Sequence, residues 1–470
     1  MFWLLFGGIL ALAVALDLRY KFLVKPVPAT AALFLTPHLF FWYNIAALLP
    51  AAAVLPFRIF TFGLAGFFMA RFAFHTAKPG IRMSRRSRIM MGGRRIFLAS
   101  ATAMALQIPA TVLLLLFRRH LPLGGKFLFA DVLTTSLLTA GFMINGAGRI
   151  FFTSKRLGII KRLLFLALSW VPLANILYGV YLCRIVKKEY LDEYRREQLQ
   201  NIRAESQSCA TKYPLLLLHG IGFRDFKLLN YWGRIPEILT RNGARIEYGK
   251  QQAWGSIENN AAEIKEQLLN WLEETGSEKV NIIAHSKGGL DARYMISSLG
   301  MADKVASLTT ISTPHRGSEL VDVLGKMEEN KYRKLCNSID KTFRRLGDSS
   351  PDAYTSGKQL APEYLEKFNE QNPDMPGVYY QSYASEMKNP TSHGLLSIPQ
   401  AIMKWKAGNN DGLVTIESAK WGEFRGTIKS ANNRGISHAD QIDMMRMDYD
   451  GFDIPEEYVK IVSELKEKGL

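Results

Sequence analysis

Long, nearly uncharged apolar runs follow one another through the first 185 residues, and they limit the fold more than any other feature. A helix that crosses a bilayer needs roughly 20 mostly apolar residues. Runs at 96–117, 127–147 and 162–183 meet that length. Residues 29–75 are apolar but interrupted by Pro50, Pro56 and Arg58, which predicts two helices and a tight turn. Residues 1–16 form a shorter run with no charged stretch before it and no small-residue cleavage pattern after it, which favours an uncleaved first helix over a signal peptide. The expected count is six spans, with five as the alternative. Asp17 and Asp131 fall near the ends of these runs, so the sequence suggests an anchor and no proton relay.

Charge divides the chain at the same place. Residues 1–208 hold 26 lysines and arginines against 7 acidic residues, and residues 209–470 hold 33 against 35. The net charge of +17 therefore reports on membrane topology and is no footprint of nucleic-acid binding. The loops 17–28, 76–95 and 148–161 are rich in Lys and Arg, including Arg82, Arg85 and Arg86, and should be cytoplasmic. Six spans then carry the C-terminal half outward. The basic residues after 183 count the other way, but acidic residues are mixed among them and a folded domain follows. Residues 186–211 read as a charged helical stalk. With 3 cysteines a disulfide scaffold is excluded; Cys209 and Cys336 are expected to stay unpaired unless the fold brings them together.

From residue 212 the pattern changes. Apolar strand-like segments at 213–218, 244–248, 279–284 and 305–311 alternate with helical ones at 232–242, 257–275 and 288–299. That alternation predicts an α/β fold with a mainly parallel sheet. One stretch carries chemistry: Asn281-Ile282-Ile283-Ala284-His285-Ser286-Lys287-Gly288-Gly289. A buried strand runs straight into a helix through a serine flanked by small residues, which is the setting a nucleophile elbow requires. The tight turn lifts the Ser286 hydroxyl clear of the backbone. The N–H of Lys287, at the start of the helix, can donate to an oxyanion.

Residues 214–320 resemble bacterial triacylglycerol lipases of the α/β-hydrolase superfamily. The resemblance rests on LLLLHGIGF at 215–223, YWGRIPEIL at 231–239, VNIIAHSKGGLDARY at 280–294 and LTTISTPHRGSEL at 308–320. It implies an α/β-hydrolase fold over about 212–450, with the domain itself expected to fill 212–470. It also implies that Ile221, after His-Gly, supplies the second oxyanion N–H.

The serine needs a base, and the base a carboxylate. Of the 8 histidines, His38, His75 and His120 lie in the membrane half. His219 sits in the oxyanion loop, His285 should point away across the elbow, and His315 lies in a Thr-Pro-His-Arg-Gly-Ser signature read as structural. His393 and His438 remain. The superfamily order serine, acid, histidine selects Asp411 and His438, and both lie in runs resembling the family's acid and histidine motifs. The resemblance also implies a structural calcium ion held by two aspartates. Asp440 matches one; the other position holds Asn389, which removes a charge. No other cofactor is implied. The insertion at 326–376 should form a cap, with Leu335, Ile339, Phe343 and Leu346 as a stripe that either packs down or lies on lipid.

These readings predict a membrane-anchored serine ester hydrolase acting on lipid acyl esters. The resemblance sets it in a bacterial cytoplasmic membrane, and the basic loops with six spans turn the hydrolase outward. Acyl transfer or thioester hydrolysis would use the same acyl-enzyme. A transporter or receptor with a binding-only domain is the non-enzyme alternative. Neither a protein partner nor a nucleic acid is expected.

Overall fold

The computed structural model describes the whole chain except residues 21–24, 75–82, 118–123, 224–229, 325–327 and 450. His75, His120, Arg82 and part of the basic loops lie outside the described residues. The chain forms two compact units, Met1–Gln198 and Leu199–Leu470.

The first unit is helical: α1 (Phe2–Tyr20), α2 (Pro26–Leu35), α3 (Leu39–Ile45), α4 (Ala51–Ala73), α5 (Arg85–Leu116), α6 (Gly125–Thr153), α7 (Ile159–Ala167) and α8 (Pro172–Ser206), which continues past the unit boundary. Among the described residues α4, α5 and α6 are long and apolar enough to cross a membrane. A fourth is added if α2 and the segment Leu39–Leu48, bent by 69°, count as one broken span. Six were expected. The run 162–183 fails because α7 ends at Ala167, a 3-10 turn follows at Leu168–Trp170, and α8 starts only at Pro172. Val171 takes φ −120° and ψ 89°, outside the helical region, as a residue before proline tends to do.

The expected stalk is not a free one at its start. Glu189 is fully buried and accepts from Ser154 Oγ at 2.6 Å and Arg86 Nη1 at 2.8 Å. Arg86 also pairs with Glu193, and Arg156 with Asp192 at 2.7 Å. The acids of α8 therefore neutralise arginines that the sequence reading assigned to topology alone. Asp131, expected near a span end, is completely buried within α6.

The second unit is built on six parallel strands: β1 (Leu215–Leu218), β2 (Ile246–Tyr248), β3 (Val280–His285), β4 (Val305–Ile311), β5 (Tyr379–Ala384) and β6 (Glu423–Thr427), in the order β2-β1-β3-β4-β5-β6. Every residue of β1, β3 and β4 is buried; β1 is wholly apolar, while β3 and β4 also bury Asn281, His285, Ser307, Thr309 and Thr310. The helices are α9 (Ile235–Arg241), α10 (Ile257–Thr275), α11 (Gly288–Ser297), α12 (Glu319–Leu324), α13 (Glu329–Arg345), α14 (Ala353–Lys358), α15 (Pro362–Gln371), α16 (Ser397–Ala407), α17 (Ile416–Ala419) and α18 (Ile454–Glu467). α10 shows why they form where they do. The Ser256 side chain accepts from the N–H of Asn259 at its start, and Gly276 closes it in the left-handed region. Its Ile264, Leu268 and Leu272 then pack with Leu216, Leu218 and Ile282 of the sheet. Leu215, Leu217 and Ile283, which alternate with them, pack with Trp232, Leu239 and Val459 in a separate core, as residues on opposite faces of a sheet do.

The strand order reverses at β1. The chain steps from β1 to β2 on one side and returns to β3 on the other. Such a switch point opens a crevice at the C-terminal ends of the two strands, where ligands bind in open α/β sheets. Ser286 follows β3 there, and His219-Gly220-Ile221 follows β1.

Candidate active site

Ser286 lies between β3 and α11 with φ +55°, in the left-handed region. A non-glycine residue there is strained by about 1–2 kcal/mol. Close packing holds the turn: the Ser286 N–H donates to Ile311 O at 3.0 Å, and Thr313 Oγ1 donates to Ser286 O at 2.8 Å. A side chain at Gly288 would lie 2.5 Å from the His219 carbonyl oxygen. One at Gly220 would lie 2.8 Å from both Ser286 Cβ and Tyr231 Oη. The loop carrying Ile221 is thus pressed onto the serine, and only glycine permits it.

Lys287 opens α11, where the first N–H groups have no partner within the helix. Its side chain turns inward. It is 1% exposed and meets Asp291 Oδ1 at 2.6 Å, and Asp291 Oδ2 accepts from Asn260 at 3.1 Å. Lys287 therefore offers the crevice its backbone and not its cation.

The loops after β5 and β6 bring up the other two expected residues. His438 Nδ1 meets Asp411 Oδ2 at 2.8 Å, and the His438 N–H donates to the Asp411 carbonyl at 2.8 Å. Gln441 Nε2 donates to the same Oδ2 at 2.8 Å, while the N–H groups of Leu413 and Val414 donate to Oδ1 at 3.0 and 2.9 Å. Asp411 is completely buried. Burial alone would push its pKa up, but the His438 charge and these hydrogen bonds outweigh it and hold the carboxyl below its ordinary value.

One residue beside the serine has an unforeseen neighbour. The His285 ring lies 4.4 Å, centroid to centroid, from that of His438. Its Nδ1 meets Tyr231 Oη at 2.6 Å. Burial, and then the His438 charge, hold its pKa well below the ordinary imidazole value, so it is neutral. The ring contact brings His438 to the elbow. Nothing local in the sequence announced it, because Tyr231 and His438 are remote in the chain. His219 and His315 have the structural surroundings expected of them. The His219 ring nitrogens face the carbonyls of Gly220 and Gln251 at 2.8 and 3.0 Å, and the His315 ring stacks on Trp421.

The residues expected to bind calcium do not fit that ion. Both Asp440 oxygens are bound by Arg434, at 2.7 and 3.1 Å, and Oδ2 also accepts from the N–H and Oγ of Ser437. The amide of Asn389 bonds to Thr391 and the Asn433 carbonyl.

Helices α13 to α15 occupy the expected insertion. Tyr332 and Cys336 form the buried side of α13, while Leu335 and Leu346 are about half exposed, so the expected stripe is split. A stronger apolar ridge lies on α16 and the turn before it: Leu395, Ile398 and Trp405 are 87%, 73% and 85% exposed. Cys209 and Cys336 are both buried and unpaired with each other.

Comparison with known proteins follows this geometry. A triacylglycerol lipase from Saccharomyces cerevisiae is 34% identical over 262 residues, which cover 52% of this chain and 75% of the yeast protein. The chain belongs to the triacylglycerol lipase family. Other lipases of that name match too. The one from Vibrio cholerae is 38% identical over 174 residues, 35% of this chain and 55% of that protein. The one from Pseudomonas fragi is 26% identical over 297 residues, 56% of this chain and 99% of that protein. The palmitoyl protein thioesterase family matches residues 214–390, a range that includes Ser286 but not Asp411 or His438. Among solved structures, a metagenomic carboxyl esterase is similar with a TM-score of 0.45 at 17% identity, covering 55% of this chain and 76% of that one. A Bacillus licheniformis lipase in its mature form gives 0.38 at 20% identity, covering 50% and 88%. The lipase-family relationship makes this chain an ester-hydrolysing enzyme.

Proposed function

We propose that the chain is a membrane-anchored serine hydrolase that cleaves acyl esters of lipids. The observation that carries this reading is the linked pair His438–Asp411, with the His438 ring against the residue that precedes a strained Ser286. Ser286 Oγ attacks the acyl carbonyl while His438 Nε2 takes its proton. Asp411 keeps the other imidazole proton on Nδ1 and steadies the imidazolium. The N–H groups of Lys287 and Ile221 stabilise the tetrahedral oxyanion. The leaving alcohol receives the proton from His438, and water then releases the acid from the acyl-enzyme by the same base. Arg434 takes the structural part of calcium by tying Asp440 beside the histidine loop.

Helices α4 to α6 support the membrane anchor. The exposed Leu395, Ile398 and Trp405 support contact with a lipid surface. A tether of this kind raises the local concentration of bilayer esters. The thioesterase match favours a second reading, in which the acyl-enzyme is loaded from a thioester on a protein. The test is hydrolysis of short- and long-chain nitrophenyl esters by the full chain and by Ser286→Ala, with fluorophosphonate labelling of both. Hydrolysis and labelling should vanish together in the variant. Equal hydrolysis by the two proteins refutes the assignment. A faster reaction with acyl-thioester peptides than with oxygen esters selects the second reading.

A further inference from the structure

The two N–H groups assigned to the oxyanion sit on separate pieces of chain. Lys287 opens α11, and Ile221 lies in the loop after β1. Two such donors act together only if their separation is held to within about 0.5 Å. On one side the backbones are in contact, because Gly288 leaves no room for a side chain against the His219 carbonyl. That contact stops the two pieces from closing further but does not stop them from parting. The segment after β2 supplies the opposite restraint. Gln251 Nε2 donates to the His219 carbonyl at 3.1 Å, and the Gly222 N–H donates to the Ala253 carbonyl at 2.9 Å. Residues 251–253 thus grip the loop on both sides of Ile221.

Asn260, in the first turn of α10, joins this segment to α11. Its Nδ2 donates to the Gln252 carbonyl and to Asp291 Oδ2, both at 3.1 Å. Asp291 Oδ1 in turn receives Lys287 Nζ at 2.6 Å. Gln251, Gln252, Asn260, Asp291 and Lys287 are each at most 4% exposed. Stability alone gives little reason for these groups. With both amide protons of Asn260 committed, its Oδ1 is buried without a partner among the described residues, which costs the fold. Burial pushes the Asp291 pKa up in spite of Lys287 and Asn260. Apolar residues of similar volume in place of a buried ion pair often leave a protein equally stable or more so.

We infer that Asn260, Asp291 and the Lys287 side chain are positioning residues that set the spacing of the two oxyanion donors. The inference rests on the reading of Ser286 as nucleophile and of the Lys287 and Ile221 N–H groups as its oxyanion site. The three residues act through the backbones of Lys287 and Ile221. Asp291 holds the Lys287 side chain one turn further along α11, which fixes the residue whose N–H is one donor. Asn260 sets the distance from that turn to the segment that grips the other. Asp291 also cancels the charge of Lys287, so the pair works by geometry and not by its field.

The test compares the full chain in detergent with two variants, Asn260→Leu and the double change Lys287→Met with Asp291→Leu. For each, kcat and KM for nitrophenyl butyrate, the affinity for an alkyl trifluoromethyl ketone and the unfolding temperature are measured. The ketone mimics the tetrahedral state: Ser286 Oγ adds to its carbonyl carbon, His438 takes the proton, and the carbonyl oxygen becomes the oxyanion. Asn260→Leu should lower kcat by about tenfold to a hundredfold, the cost of a misplacement of up to about 1 Å. KM should change less than about threefold, and the ketone should bind more weakly by the same factor as kcat falls. The double variant should unfold at the wild-type temperature or above it, yet lose kcat and ketone affinity together; it decides the case if Asn260→Leu does not fold. Wild-type kcat and ketone affinity in the double variant, or a loss confined to KM, would overturn the inference. A double variant that fails to fold would also overturn it, by marking the pair as a brace of the fold. If the hydrolase reading itself is wrong, the wild-type chain neither cleaves the ester nor binds the ketone, a result distinct from variants that equal an active wild type.

Discussion

Replacing Asp411 by asparagine should stop the reaction without disturbing the fold, and the hydrogen bonds around it say why. All four of its contacts are donors: Leu413 and Val414 N–H on Oδ1, His438 and Gln441 on Oδ2. An asparagine must turn its amide N–H2 toward one pair. The backbone N–H groups cannot reverse, so the amide oxygen stays with them and the N–H2 takes the Oδ2 place. Gln441 can adapt by flipping its own amide, because its Oε1 is buried and has no partner among the described residues. The imidazole can adapt only by accepting on Nδ1, which moves its proton to Nε2. The nitrogen that should receive the serine proton then already holds one. A wrong tautomer in a Ser-His-Asp site lowers kcat by about a thousandfold to ten-thousandfold, or about 4–5.5 kcal/mol. KM should change little. The assay is nitrophenyl butyrate hydrolysis by the full chain in detergent, with the temperature of unfolding as the check on the fold. A loss below about tenfold with an unchanged unfolding temperature would show that Asp411 does not orient the base.

Three other expectations follow from the same structure. Arg434→Ala leaves the buried Asp440 carboxylate without its cation, which should cost about 3 kcal/mol and lower the temperature at which esterase activity is lost; an unchanged temperature would mean that Arg434 does not brace the histidine loop. Trp405→Ala with Ile398→Ala should slow hydrolysis of emulsified long-chain esters severalfold and leave soluble short-chain esters untouched; equal effects on both would place the ridge outside any lipid contact. His285 and His315 are both held neutral by burial, and then by the charge of His438 or Arg293, with folded pKa values well below 6.5. Below that pH the unfolded chain binds more protons than the folded one, so stability is full above it and falls as the pH drops, by up to about 1.4 kcal/mol per unit for each histidine. The temperature of activity loss should therefore fall between neutral pH and pH about 5, and fall less in His315→Gln; a flat profile would contradict the neutral assignment.

The parts legible in the sequence are those set by neighbours in the chain. Strand β1 reads as an apolar run, β3 and β4 keep a majority of apolar residues, and the strand-to-helix turn at Ser286 needs only local residues. β5 and β6 escaped notice because Tyr379–Ala384 mixes polar residues into its run and Glu423–Thr427 is a half-exposed edge. Arg434 and Asp440 lie close enough to have been paired from spacing, but the resemblance drew Asp440 toward calcium. His38 and Asp131, a buried pair, are 93 residues apart, and only the buried row Asp131, Thr135, Thr139 on one side of α6 could have hinted at a polar interior. The apolar run 162–183 is interrupted at Val171-Pro172, a break that its hydropathy does not show.

The positive φ of Ser286 sets the chain's chemistry against its own stability. Glycine would occupy that turn without strain, so Ser286→Gly should be inactive and more stable by about 1 kcal/mol, whereas Ser286→Ala keeps the strain. In a lineage that no longer needed the reaction, the downhill change at this codon would be toward glycine. The serine therefore sits at a turn where the backbone alone would favour glycine.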